Sequence, residues 1–111
     1  MTPEGKVKEE IDKYLKGIDG MFFRKPVVTA YGPRLVDYVC CYKGRFIAIE
    51  AKKPGGKPTA QQIQFLVDVY NAGGIAIIAD CVEDVNHAID TALQQDIPWL
   101  DPSLHSWLDD E

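Results

Sequence analysis

Apolar residues recur every three to four positions over residues 4–17, "EGKVKEEIDKYLKG", where Val7, Ile11 and Leu15 share one side with Tyr14 beside them. Thr2 and Pro3 supply a cap and a first-turn proline, so the pattern predicts an amphipathic helix ending at Gly17 to Gly20. The period then changes. "MFFRKPVV" is strand-like, with Pro26 marking an edge or a break. "LVDYVCCY" (35–42) and "RFIAIEAK" (45–52) are β-rich runs separated by Lys43-Gly44, the signal of a hairpin. After the loop "PGGKP", Thr59 opens a second helix with Ile63, Leu66, Val67 and Tyr70 as its stripe and Gly73-Gly74 at its end. "IAIIAD" is a wholly apolar strand, and residues 82–94 form a third helix, apolar at Val85, Ala88, Ile89 and Ala92. The predicted order is α-β-β-β-α-β-α, an α/β fold whose mixed central sheet is flanked by helices. At 111 residues the chain reads as a single domain, 1–111, with the tail 97–111 unassigned.

The hairpin places charge on an apolar surface. A two-residue turn at Lys43-Gly44 pairs Tyr42 with Arg45 and, carried along the ladder, Asp37 with Glu50 and Leu35 with Lys52. One face then reads Leu35, Asp37, Val39, Cys41 against Phe46, Ala48, Glu50, Lys52. Two carboxylates across a ladder repel by about 4 kcal/mol at 4 Å and an effective dielectric near 20. That is a large share of the roughly 5–15 kcal/mol that holds a domain together. Lys52 offsets part of it, and a divalent cation with a preference for oxygen ligands, Mg²⁺ or Mn²⁺, would offset more. The Glu-x-Lys triplet alone carries little, since it also occurs at Glu4-Gly5-Lys6. Its setting at a strand end, before a glycine loop, is what singles it out. A metal site and a solvated cluster of strand-end charges both satisfy this pattern.

Charge and cysteine content narrow the classes. All 12 Lys and Arg lie between Lys6 and Lys57, so residues 1–57 are net +5 and the remaining segment, with ten acids and no base, is −10. A basic surface on an acidic protein is compatible with that asymmetry, and so is mutual cancellation in space. Cys40 and Cys41 are adjacent in a strand and point to opposite faces, while Cys81 is remote and no CxxC occurs, which argues against disulfides and a structural zinc. His87 and His105 lack partner spacing and read as packing or surface residues. There is no 20-residue apolar run and no apolar leader at "MTPEGKVKEE", so no membrane association and a cytoplasmic location are expected.

Asp37, then Glu50-Ala51-Lys52 and "PGGKPTAQQ", followed by "AGGIAIIAD", resemble the D…ExK core of the PD-(D/E)XK nuclease superfamily. More narrowly they are similar to the stand-alone VRR-NUC domains of phages and bacteria. The resemblance covers most of the chain and implies a restriction-endonuclease-like core. It implies that Asp37, Glu50 and the backbone carbonyl of Ala51 ligate Mg²⁺ or Mn²⁺, that Lys52 orients the attacking water, and that Glu4 and Gln62 complete the site. One departure stands out: Pro33 lies four residues before Asp37, and Val36 occupies the position where the family usually has proline. Glu4 also suits the positive end of the first helix, with Glu9 as a substitute, and Thr59 to Gln62 is equally a capping box.

The expected activity is metal-dependent hydrolysis of DNA phosphodiester bonds. Arg24, Lys25, Arg34, Lys53 and Lys57 surround the motif as candidates for phosphate contact. The resemblance further implies a homodimer, resembling Holliday-junction resolvases, that cuts four-way or other branched DNA in a phage-infected or bacterial cell. A sequence-specific restriction-like endonuclease and a non-catalytic α/β binding module are the alternatives.

Overall fold

The computed structural model describes residues 1–27 and 35–108. Helix α1 spans Pro3–Lys16. The Thr2 hydroxyl accepts from the Gly5 N–H at 3.0 Å, which caps α1, and its stripe Val7, Ile11 and Leu15 is buried. Strands β1 (Phe22–Arg24), β2 (Tyr38–Tyr42) and β3 (Arg45–Ala51) follow, then α2 (Ala60–Asn71), β4 (Ile75–Ala79) and α3 (Val82–Gln95). Two further elements close the chain: β5 (Trp99–Leu100) and a 3₁₀ helix over Pro102–Trp107. The seven-element order expected from the pattern therefore stops short. The tail adds an edge strand and a short helix.

The sheet runs β1-β2-β3-β4-β5, antiparallel through β3 and parallel from β3 to β5. It is a mixed five-stranded sheet flanked by helices. One face packs on α1 and α3 through Ile49, Ile77, Val85 and Ile89; the other packs on α2 and the 3₁₀ helix through Ala48, Ala76, Leu66 and Leu104. Ala48 pairs with Ala76 in register, so α2 approaches over two small side chains. At the start of β4, Gly74 lies so close that a Cβ there would stand 2.7 Å from Val69 Cγ1. Among the described residues no helix is long and apolar enough to cross a membrane.

The hairpin has the register read from the sequence: Tyr42 pairs with Arg45 and Tyr38 with Ile49. Both turn residues are left-handed, Lys43 at φ 52° and Gly44 at φ 77°, as a type I′ turn requires. Glycine tolerates this; lysine is strained by roughly 1 kcal/mol. Lys43 also holds its ammonium 5.4 Å from the Tyr42 ring centroid, which offsets part of the strain. Lys43→Asn is expected to raise the free energy of unfolding by about 0.5 kcal/mol, seen as a higher urea midpoint at unchanged slope.

The strand over 35–42 is shorter than its β-rich run suggests. Leu35 to Asp37 precede the ladder, and Val36 turns into the core on the α2 side rather than away from it. The reason is local. At Asp37 side chains replace the ladder: Glu50 Oε1 accepts the Asp37 N–H at 3.2 Å, and Asp37 Oδ2 accepts the Ala51 N–H at 2.9 Å.

Candidate functional site

β3 and β4 are parallel and end side by side at Ala51 and Ala79, with the Lys52 N–H bonded to the Ala79 carbonyl at 2.9 Å. β2 is antiparallel to β3, so Asp37, the residue just before β2, arrives at the same end. Grooves outside the carboxyl ends of strands are the usual ligand sites of α/β sheets. The N-terminal half of α1 borders this end and contributes Glu4 and Lys8, one helical turn apart.

Glu50 is 1% exposed, an unusual position for a carboxylate. Its Oε2 lies 3.0 Å from Lys52 Nζ, and Lys52 in turn lies 4.0 Å from Glu4 Oε1. Lys8 Nζ stands 3.3 Å from Asp37 Oδ1 and 3.4 Å from Glu4 Oε2. Three carboxylates and two ammonium groups thus form one cluster, with Asp37 and Glu50 each pinned through one oxygen to the opposite strand's backbone. Their second oxygens face the ammonium groups. Burial, reinforced by the charge of Asp37 and opposed by Lys52, pushes the Glu50 carboxyl up to about 7. Burial works against the Lys8 ammonium too, but Asp37 and then Glu4 outweigh it and raise its pKa.

A second layer anchors α1 to this end. The buried Tyr38 hydroxyl donates to Asp12 Oδ1 at 2.6 Å and lies 2.9 Å from the Lys8 carbonyl. Lys25 Nζ pairs with Asp12 Oδ2 at 2.8 Å. Burial disfavours the Asp12 carboxylate, yet Lys25 and Tyr38 outweigh it and its pKa is lowered. Glu4, Lys8 and Asp12 form a stripe at i, i+4, i+8. Lys8, Asp12 and Tyr38 carry no motif and were not singled out from the sequence; that stripe, lying on the helix beside the candidate Glu4, was the available signal.

Gln62 is buried and completes a capping box: its Oε1 accepts the Thr59 N–H at 2.9 Å while its own N–H donates to Thr59 Oγ1 at 3.2 Å. Its amide nitrogen takes no part in the cap. Gln62→Ala is expected to lower the free energy of unfolding by about 1 kcal/mol, measured by urea titration, through loss of the cap. Ala51 ends β3 fully buried. Lys53 and Lys57 are exposed on either side of a tight turn, closed by the Gly56 N–H to the Lys53 carbonyl at 2.8 Å, in which Gly55 takes φ 81°. Arg24 is exposed on β1, its guanidinium 4.3 Å from the Phe22 ring centroid. Arg34 lies outside the described residues. Glu9 pairs with Lys13 at 3.9 Å on an exposed helix face and takes no part in the cluster.

Glu4, Asp37 and Glu50 do not bring three ligand atoms within 4.8 Å of one another; among the described residues, Asp80, Cys81 and Asp84 do, through two carboxylate oxygens and a sulfur. That trio sits where β4 meets α3, and Asp84 Oδ2 accepts the Asp80 N–H at 3.2 Å, the arrangement of a helix start. His87 meets Trp99 edge-on at 5.6 Å between centroids, and His105 Nε2 lies 3.0 Å from the Leu100 carbonyl, both packing roles. Cys40 is buried and Cys41 exposed, as opposite faces require. The chain matches no protein-family model and no curated protein.

Proposed function

We propose that this domain is a Mg²⁺- or Mn²⁺-dependent endonuclease that hydrolyses phosphodiester bonds in branched DNA. One observation carries the reading: a carboxylate at 1% exposure, crowded by the Asp37 carboxylate from just before the neighbouring strand, with an ammonium 3.0 Å away at the mouth of the sheet. The donor set is hard oxygen, and the buried negative charge is what a divalent cation relieves. Asp37, Glu50 and the Ala51 carbonyl would hold the ion, with Glu4 at the rim. When bound, the ion supplies Lewis-acid stabilisation of charge on the phosphate.

The chain's own groups do the rest. Lys52 is held by Glu50 and Glu4, so its ammonium is positioned to orient a water and to stabilise negative charge as it develops. Water supplies the oxygen of the new phosphate bond, and the old ester oxygen leaves as a hydroxyl. Lys53 and Lys57, which follow Lys52 in the chain, and Arg24 on β1 are exposed and suit backbone phosphates, which position DNA without reading its sequence. The resemblance to VRR-NUC domains adds the substrate class, four-way or other branched DNA, and a homodimer delivering paired cuts.

The test is incubation with labelled linear, flap and four-way DNA in Mn²⁺, Mg²⁺ or EDTA. Cleavage confined to the metal-containing, branched-DNA reactions is expected, and cleavage in EDTA overturns the reading. A second reading, a non-catalytic binding module, is favoured by one observation: every carboxylate of the cluster is already paired with an ammonium. It requires DNA binding by the Glu50→Ala variant to equal that of the wild type with and without Mn²⁺.

A further inference from the structure

Beside the cluster lies a cavity of about 240 Å³ lined by Lys8, Asp12, Lys25, Pro26, Asp37 and Tyr38. It shares Asp37 with the candidate metal site, takes Lys8 and Asp12 from α1, and does not include Lys52 in its lining. Its charged walls are two ammonium groups and two carboxylates, so it is neutral overall. The two pairs are not equivalent. Lys25 and Asp12 bond at 2.8 Å, and Asp12 is further fixed by the buried Tyr38 hydroxyl. Lys8 is 3.3 Å from Asp37 and 3.4 Å from Glu4, longer contacts made by a half-exposed side chain with rotatable reach. Its partners are the carboxylates that a divalent cation would claim.

We propose that Lys8 is a built-in counter-ion that a divalent cation displaces from Asp37 and Glu4, and that the freed ammonium turns this cavity into a subsite for a DNA phosphate next to the scissile one. The inference rests on the metal-site reading above. Its physics is charge balance. A cation shared by Asp37 and Glu50 cancels the negative charge that retains Lys8 and repels the ammonium at short range. Lys25 remains tied to Asp12, so the cavity gains one uncompensated positive charge, and its volume admits a phosphodiester group with hydration. Anion binding and metal binding are then coupled: each makes the other more favourable, by the same factor. The device keeps the phosphate subsite closed until the metal is in place.

Two opposite effects of one substitution test this. Titration calorimetry of the whole protein with Mn²⁺ alone is expected to show about fivefold tighter binding in Lys8→Met than in the wild type, because a competitor is gone. Lys8→Arg retains the positive charge and should bind as the wild type does. Lys13→Met, which removes the same charge from an exposed position further along α1, should leave Mn²⁺ affinity unchanged. With Ca²⁺ in place of Mn²⁺, four-way DNA should bind Lys8→Met about tenfold more weakly than the wild type, with a salt slope lower by about one; in EDTA the two should bind alike. Equal Mn²⁺ affinity in wild type and Lys8→Met overturns the counter-ion role while leaving the metal site standing. Tighter Mn²⁺ with unaltered DNA binding overturns the phosphate role. Mn²⁺ binding that is absent from the wild type, or unaffected by Glu50→Gln, overturns the metal site itself and this inference with it. Circular dichroism of each variant separates these results from misfolding.

Discussion

Replacing Lys52 by Ala is expected to slow Mn²⁺-supported cleavage of four-way DNA by about 10²- to 10³-fold, or roughly 3–4 kcal/mol of transition-state stabilisation. The loss should fall on the single-turnover rate constant and not on DNA affinity, because in the proposed mechanism this largely buried ammonium would meet the reacting phosphate and little else of the duplex. Mn²⁺ binding should survive and even tighten. Lys52 is the direct counter-ion of Glu50 at 3.0 Å, and its removal would leave the carboxylate free for the proposed cation. A variant that merely failed to fold would lose both properties. Cleavage that persists undiminished in Lys52→Ala removes the proposed mechanism.

The second large effect is on stability and its dependence on pH. The Glu50 carboxyl is pushed from its ordinary 4.5 up to about 7 by burial and by Asp37, against the pull of Lys52. Between those values the native state retains a proton that the unfolded chain has released, so raising the pH favours unfolding. The metal-free protein should therefore lose about 3 kcal/mol of stability from this group as pH climbs from about 4.5 to about 7, with no further loss above. Glu50→Gln removes the effect: in EDTA its free energy of unfolding should match the wild type at low pH and exceed it by about 3 kcal/mol at pH 8. Mn²⁺ should reverse the order at pH 8 by stabilising only the wild type. Urea titrations of both proteins at pH 5 and pH 8, with EDTA and with Mn²⁺, measure all of this. A wild type whose stability rises across that interval, relative to Glu50→Gln, contradicts a buried, strained carboxylate.

How much of this was legible in the chain depends on the range of the interactions. The hairpin register was, because Lys43-Gly44 admits one short turn and the turn fixes every pair behind it, Tyr38 with Ile49 included. The α1 stripe and the Thr59 capping box were, since both are local. The start of β2 was not. "LVD" alternates like a strand, but the Asp37 and Glu50 side chains take over the hydrogen bonds that a ladder would have used. Lys8 was not singled out either, because an exposed-looking lysine acquires its role only when the tertiary fold lays α1 against Asp37. The tail was illegible for a third reason. β5 is held by the Trp99 N–H to the Gly74 carbonyl and the Asp101 N–H to the Ala76 carbonyl, long-range parallel bonds that no two-residue pattern announces.

That short β5 has a bearing on solubility. It lies along the outer edge of β4, whose five residues, Ile75 to Ala79, contain neither a charge nor a proline. Such an edge, once bared, is a template for another molecule's backbone. Clipping the polypeptide after α3 would bare it, and the damaged protein would be lost as insoluble aggregates, not as a milder decline in melting temperature.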